Sequence, residues 1–349
     1  HVLVAAVLLT GLPLNAAAAL VTALCKAAET WLLVELSARI MGERSWRAAL
    51  CGLMLSVVTA IAVPWVNPTV YLGAGSPNTW HSPTQVAVMA MMLLCVPMTA
   101  DIIEDFQRRL PAEGAETNVS KRNAVILSVL LAVSLLAKPT FLQAFLPAAC
   151  LYCLVLWIRR PKNWAFFWRM VAVAAPSILL MFLQYLYYFK IYSATQGSMM
   201  MFVSWGKTGE VALKVLLTQA FPIYVLATCM ERDTWRKPLY QLTLLMDAAS
   251  ILELLLLSET GHRASDGNFG WALMGASLML WALTLPLFMK KLGRRLARRR
   301  AAAEGQPYLE GDSPRAETVK WSVGGALLLW HLASGIYYIV YLMTTTNSL

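Results

Sequence analysis

Long apolar runs alternate with short basic clusters along the whole chain. A helix needs about twenty apolar residues to cross roughly 30 Å of hydrocarbon, and runs of that kind lie at 16–40, 48–66, 84–105, 164–188, 213–230, 239–258, 271–289 and 321–343. A split pair at 123–137 and 141–158 surrounds Lys138 and Pro139, where the proline removes a helix donor. The leading piece from Val2 to Leu12 is too short to cross alone; it stops at Pro13, with Asn15 as a candidate cap. The pattern predicts an all-α fold, a polytopic integral membrane helical bundle of about ten spans. Residues 1–349 then form a single transmembrane domain.

The cations orient this bundle, because Lys and Arg gather on the cytoplasmic side of alternate loops. Arg44 and Arg47, then Arg108, Arg109, Lys121 and Arg122, then Arg159, Arg160 and Lys162, then Arg232, Arg236 and Lys237, and finally Lys290 to Arg300 all fall on one side. The opposite loops carry only Lys190, Lys207 and Arg263, with Lys138 and Lys214 near span ends. The alternation requires a real turn at Lys138-Pro139, since a single span over 123–158 would invert every later loop. The 290–320 stretch, opening KKLGRRLARRR, reads as a flexible basic cytoplasmic loop that orients the chain and touches anionic lipid.

Composition narrows the function classes. With 58% hydrophobic and 14% charged residues, a soluble fold is excluded. The net charge of +10 sits in loops between spans, so it marks orientation and not a nucleic-acid partner. No GxxxxGK[ST] and no strand-preceded GxGxxG occurs, which leaves ATP-driven transport and dinucleotide chemistry without support. The six cysteines lie inside apolar segments and read as small buried hydrophobes, the Cys150/Cys153 pair included. No HExxH and no His pair at ligand spacing is present, so neither a metal nor any other cofactor is implied.

Candidate chemistry concentrates in the loops opposite the basic side. The stretch NPTVYLGAGSPNTWHSPT at 67–84 carries no charge. Trp80 offers a flat face to a sugar ring or belongs to an interfacial aromatic belt, while Asn78 and His81 can hydrogen-bond hydroxyls or shuttle a proton. Lys138, at the helix break before Pro139 and Thr140, can clamp a phosphate or snorkel to headgroups. The loops from Ser193 to Glu210 and from Ser258 to Trp271 add Lys207, Glu210, Glu259, His262, Arg263, Asp266 and Asn268. Cations for phosphate, carboxylates as general base and His262 as acid or base suffice for glycosyl or phospho-group transfer, and they are equally the content of a solvated loop. The methionines at 199–201 fill gaps or mark a segment that moves against lipid.

Within the spans, Lys26, Glu29, Asp247 and Glu253 need partners. Lys26 and Glu29 are three apart and can satisfy each other. Asp247 and Glu253 do not share a helix face and either line a proton or ion path or cap neighbouring hydroxyls. His331 reads as a hydrogen-bonded core histidine.

Through NTWHSPT, LLAKPTFLQAFLP and GHRASDGNFGW, the chain resembles bacterial multi-span proteins of the GT-C glycosyltransferase type. The resemblance implies a sugar donor carried on a polyprenyl phosphate and transfer on the outer face of the bacterial cytoplasmic membrane, toward a cell-envelope glycan acceptor. It also implies a catalytic carboxylate on the first long outer loop. No acidic residue precedes Glu29, so the resemblance puts that group upstream of His1. Its supporting positions would be Asn78, Trp80 and His81 for sugar or acceptor, Lys138, Lys207 and Arg263 for phosphate, and Glu210 and Glu259 as acid or base. Two other classes compete: a transporter or flippase of lipid-linked saccharide, suggested by Lys26, Asp247 and Glu253, and a polysaccharide polymerase or O-acyl transferase sharing the outer site. Partners in every case are membrane lipids, a polyprenyl-linked sugar and a glycan.

Overall fold

The computed structural model describes residues 2–63, 65, 75–80, 82–109, 120–192, 200–202, 208–259, 269–304 and 314–345. Its regular secondary structure is helical apart from one pair of three-residue strands among those residues. In chain order the elements are α1 (Val2–Leu8), α2 (Leu14–Met41), α3 (Trp46–Leu55), α4 (Pro83–Arg109), α5 (Lys121–Ala137), α6 (Thr140–Arg159) and α7 (Trp164–Leu186). Then come β1 (Met200–Phe202), α8 (Thr208–Cys229), α9 (Arg232–Trp235), α10 (Pro238–Leu256), β2 (Leu257–Glu259), α11 (Gly270–Ala303) and α12 (Pro314–Thr344). Among the described residues, 8 helices are long and apolar enough to cross a membrane, and the chain is an integral membrane protein. The remaining two expected spans are shorter helices, α3 with 10 residues and α5 with 17.

The basic clusters do share one end of the bundle. Arg39 on α2 pairs with Asp101 on α4, the Lys290 ammonium donates to the Ile40 carbonyl at 2.9 Å, and Lys291 meets Glu231 at 2.6 Å. The hydrogen bond from Lys291 and its charge hold the Glu231 carboxyl below the usual carboxylate range. α2 stops there because Gly42 adopts φ +81, which lets its N–H reach the Ala38 carbonyl.

α11 is the central pillar. Its first part, GWALMGASLMLWALTLPLF, is apolar nearly all round, the pattern of a helix with protein on every side, and every residue of it but Trp271 is buried. Trp281 stacks on Phe221 of α8 with ring centroids 4.9 Å apart, and its indole N–H donates to the Thr218 carbonyl at 3.1 Å. With 34 residues, α11 is about 51 Å long at 1.5 Å per residue, longer than the hydrocarbon core. Its excess projects at the basic end, so the Lys290–Arg300 run is helical and not the flexible loop expected.

The largest departure from expectation is α3. The apolar run 48–66 reads as a full span, but the helix ends at Leu55 and residues 56–63 continue without helix while mostly buried. Irregular backbone at membrane depth is tolerated only where protein satisfies its polar groups. Here Ile61 N–H donates to the Leu217 carbonyl at 3.0 Å, Ala62 N–H to Ser334 Oγ at 3.0 Å, and the Thr59 carbonyl lies 2.6 Å from His331 Nδ1. His331 is thus the hydrogen-bonded core residue expected, edge-on to Trp281 at 4.7 Å.

α12 approaches this segment through Gly335, where a Cβ would collide with the Val57 carbonyl. Gly335→Ala is therefore expected to destabilise the fold by about 1–3 kcal/mol through overpacking against backbone. At Gly325, also on α12, a Cβ meets nothing within 4 Å, and Gly325→Ala should be neutral or gain up to about 1 kcal/mol of helix propensity. Thermal unfolding of both variants in detergent tests the pair; equal midpoints would refute the close approach.

Candidate functional site

Among the described residues, three polar clusters interrupt the apolar interior. The first is built on Lys26 and Glu29, which α2 presents one turn apart and which are 6% and 0% exposed. Their ion pair is 2.7 Å, as the spacing predicts. Lys26 Nζ also donates to Asn78 Oδ1 at 2.6 Å and lies 4.6 Å from the centre of the Trp80 ring. Asn78 Nδ2 in turn donates to the carbonyls of Leu55 and Val58, at 2.8 and 2.7 Å. One amide thus caps the broken end of α3 and fastens it to α2 (an amide caps carbonyls as a C-terminal cation can). The 75–80 segment reaches this depth by a turn at Gly75, whose φ is +80. Ser76 bonds Thr59 beside it.

The sequence pattern places 67–84 in a loop opposite the basic side; of its described residues, 75–79 are buried inside the protein. Both Asn78 N–H groups are engaged, so no donor remains for a substrate hydroxyl. Trp80 is half-buried, and its indole Nε1 has no hydrogen-bond partner among the described residues, like Thr79 Oγ1 and Glu29 Oε2 beside it.

The second cluster lies at the α5–α6 break. Pro139 starts α6, and Lys138 is extended at the end of α5. Its ammonium sits 3.3 Å from the centre of the Trp271 ring, at the start of α11. Gln85 on α4 ties the surroundings together, donating to the Trp271 carbonyl at 3.1 Å and accepting from Thr140 Oγ1 at 3.1 Å. Lys138 and Trp271 are both half-buried and lie at the end away from the arginines. The contacts of Trp80 and of Lys138 thus run to different partners, Lys26 and Trp271. The third cluster, around Asp247, joins α8, α10 and α11 at mid-span.

Of the other candidates, His81, Lys207, His262, Arg263 and Asn268 lie outside the described residues. Glu210 falls in the first turn of α8 and Glu259 on β2, and their side chains also lie outside. The backbone does bring two of the candidate loops together, because β1 pairs antiparallel with β2, Met200 opposite Glu259 and Phe202 opposite Leu257. Gln85, Trp271, Gln219 and Ser277 are polar or amphipathic partners that the sequence reading passed over; the available signal was an amide placed in an otherwise apolar span.

Among the described residues no group of three His, Cys, Asp or Glu is placed to hold a metal ion. At the basic end a cavity of about 450 Å³ is lined by Asp101, Glu104, Asp105, Arg108, Arg109 and Asn123. Its charges are paired, Arg108 with Glu104 at 3.2 Å, Arg109 with Asp105 at 2.6 Å and Asp101 with Arg39 of α2. No family model, no curated protein and no solved structure matches the chain.

Proposed function

We propose that the protein is a membrane glycosyltransferase of the GT-C kind, using a polyprenyl-phosphate-linked sugar at the outer face of a bacterial cytoplasmic membrane for cell-envelope glycan assembly. The observation that carries this reading is Lys138, a half-buried ammonium held over Trp271 at a helix break, at the end of the bundle away from the arginine clusters. A cation there meets the phosphate of a lipid-linked donor at headgroup level. The Trp271 face beside it suits a sugar or isoprenoid surface. Thr140 and Gln85 supply a hydroxyl and an amide within the same turn-to-turn contact. In this reading the strand pair delivers the loops bearing Glu210, Glu259 and His262 to the same end, as the acid and base groups of transfer.

The test is turnover of polyprenyl-phosphate sugars by the purified protein in lipid. Loss of a charge-assisted bond to phosphate in Lys138→Met should lower kcat/KM about 10- to 100-fold, while Lys138→Arg keeps most of it. Absence of turnover and of binding across the common sugars would count against the enzyme. A second reading, a flippase of lipid-linked saccharide, is favoured by the end of α3 inside the bundle, since broken helices bound the midplane sites of transporters. Vectorial movement of the saccharide in liposomes that survives Lys138→Met would decide for it.

A further inference from the structure

Asp247 is the central residue of α10 and is 7% exposed. Its Oδ1 accepts a hydrogen bond from Gln219 Nε2, in the middle of α8, at 2.7 Å. The same amide nitrogen donates to Ser277 Oγ on α11 at 3.0 Å. Among the described residues no Lys, Arg or His comes within ion-pair distance of Asp247.

The surrounding elements explain why. α10 packs against α4, α6, α8, α9, α11 and β2. α11 carries no ionisable side chain before Lys290, and α9 contributes Arg232 and Asp233 only at the basic end. α6 offers Cys150, Tyr152, Cys153 and Arg159, all in its half nearer that end; α4 offers Cys95 and, further on, Asp101 to Arg109. On α8, Lys214 and Tyr224 are each five residues from Gln219, about 7.5 Å along the axis. On α10 itself Tyr240 and Glu253 lie about two turns away, and β2 adds Glu259 beyond its end. A carboxylate served by one neutral donor in such surroundings is costly, and the ordinary remedy is to take up a proton.

The site is also joined to the broken span. A Cβ placed on Gly75 would lie 3.1 Å from Ser277 Oγ and closer still to the Leu273 side chain. The turn that carries Ser76 and Asn78 into the bundle therefore rests on the hydroxyl that shares Gln219 with Asp247. Ser277 thus touches both that turn and the donor on which the Asp247 charge depends.

We propose that Asp247 is a reversible proton-binding site at the centre of the bundle, coupled through Gln219 and Ser277 to the position of the 75–80 segment. The proton adds to a carboxylate oxygen of Asp247 and leaves from it, with no other bond changed. The inference is independent of both functional readings, since an enzyme and a transporter can each couple a lipid-facing step to such a site.

The full chain in lipid nanodiscs is followed by infrared difference spectroscopy of the protonated-carboxyl carbonyl band as pH is raised. The expected result is a band that disappears with rising pH, is missing from Asp247→Asn and persists in Glu253→Gln, with its midpoint moved in Gln219→Leu. Should Asp247→Asn fail to fold, labelling of the wild-type protein by dicyclohexylcarbodiimide, mapped by mass spectrometry, must fall on Asp247. Coupling is read from hydrogen–deuterium exchange over 75–80, which should change across the same pH range in the wild type and lose that dependence in Ser277→Ala. A band that never titrates, or one unchanged in Asp247→Asn, overturns the site. Labelling that spares Asp247 does the same, and exchange indifferent to pH overturns the coupling.

Discussion

Glu29→Leu lowers the stability of the folded bundle by about 3–5 kcal/mol, the cost of leaving a buried charge without its counter-ion. Lys26 is 6% exposed and would keep only Asn78 Oδ1 as a polar partner, with the Trp80 ring beside it. The measurement is unfolding in mixed micelles of a mild detergent and dodecyl sulfate. The double variant Lys26→Met, Glu29→Leu should sit closer to the wild type than Glu29→Leu alone, because removing both charges removes the desolvation cost along with the attraction. It will not recover completely, since Asn78 Oδ1 then loses its donor, an effect of about 1–3 kcal/mol. A Glu29→Leu protein as stable as the wild type would mean that Lys26 escapes to water and that the cluster is not sealed.

Asn78→Leu is the second large effect. The side chain makes three hydrogen bonds, to Lys26 and to the carbonyls of Leu55 and Val58. Each buried group left unsatisfied costs about 1–3 kcal/mol, so three of them total about 3–9 kcal/mol. The loss should also be local: the carbonyls concerned terminate α3, and hydrogen exchange in residues 52–63 should accelerate far more than in α11. Because Asn78 and Glu29 share Lys26, the two substitutions should combine to less than their sum. Strict additivity, or uniform acceleration across all helices, would show that Asn78 does not hold the break.

The same residues show how far the sequence can be read. Apolar length marks α2, α4, α6, α7, α8, α10, α11 and α12 because each needs only to be long enough and poor in charge. It marks 48–66 equally well and wrongly, since hydropathy is blind to backbone conformation. The corrective signal was present in Val57, Val58, Thr59, Ile61 and Val63, a β-branched series that disfavours helix, and in Pro64, which turns Val63 away from it. The Lys26–Glu29 pair was legible because both partners lie on one helix at a fixed spacing. Asn78 was not, because its partner is fifty-two residues away and its charge-free, proline-rich setting is what a surface turn also looks like. Gln85 and Gln219 are the same case: an amide's role depends on which helix faces it, and that is a tertiary fact.

The position of α11 in the chain has a consequence for biogenesis. The helix against which α2, α3, α4, α6, α8 and α10 all pack comes after every one of them in the chain. Until it emerges, the Thr218 carbonyl waits for the Trp281 indole and Gln219 waits for Ser277. The earlier helices must therefore be threaded into the bilayer and held apart, around a space not yet filled, so that order of translation and order of closure run in opposite directions.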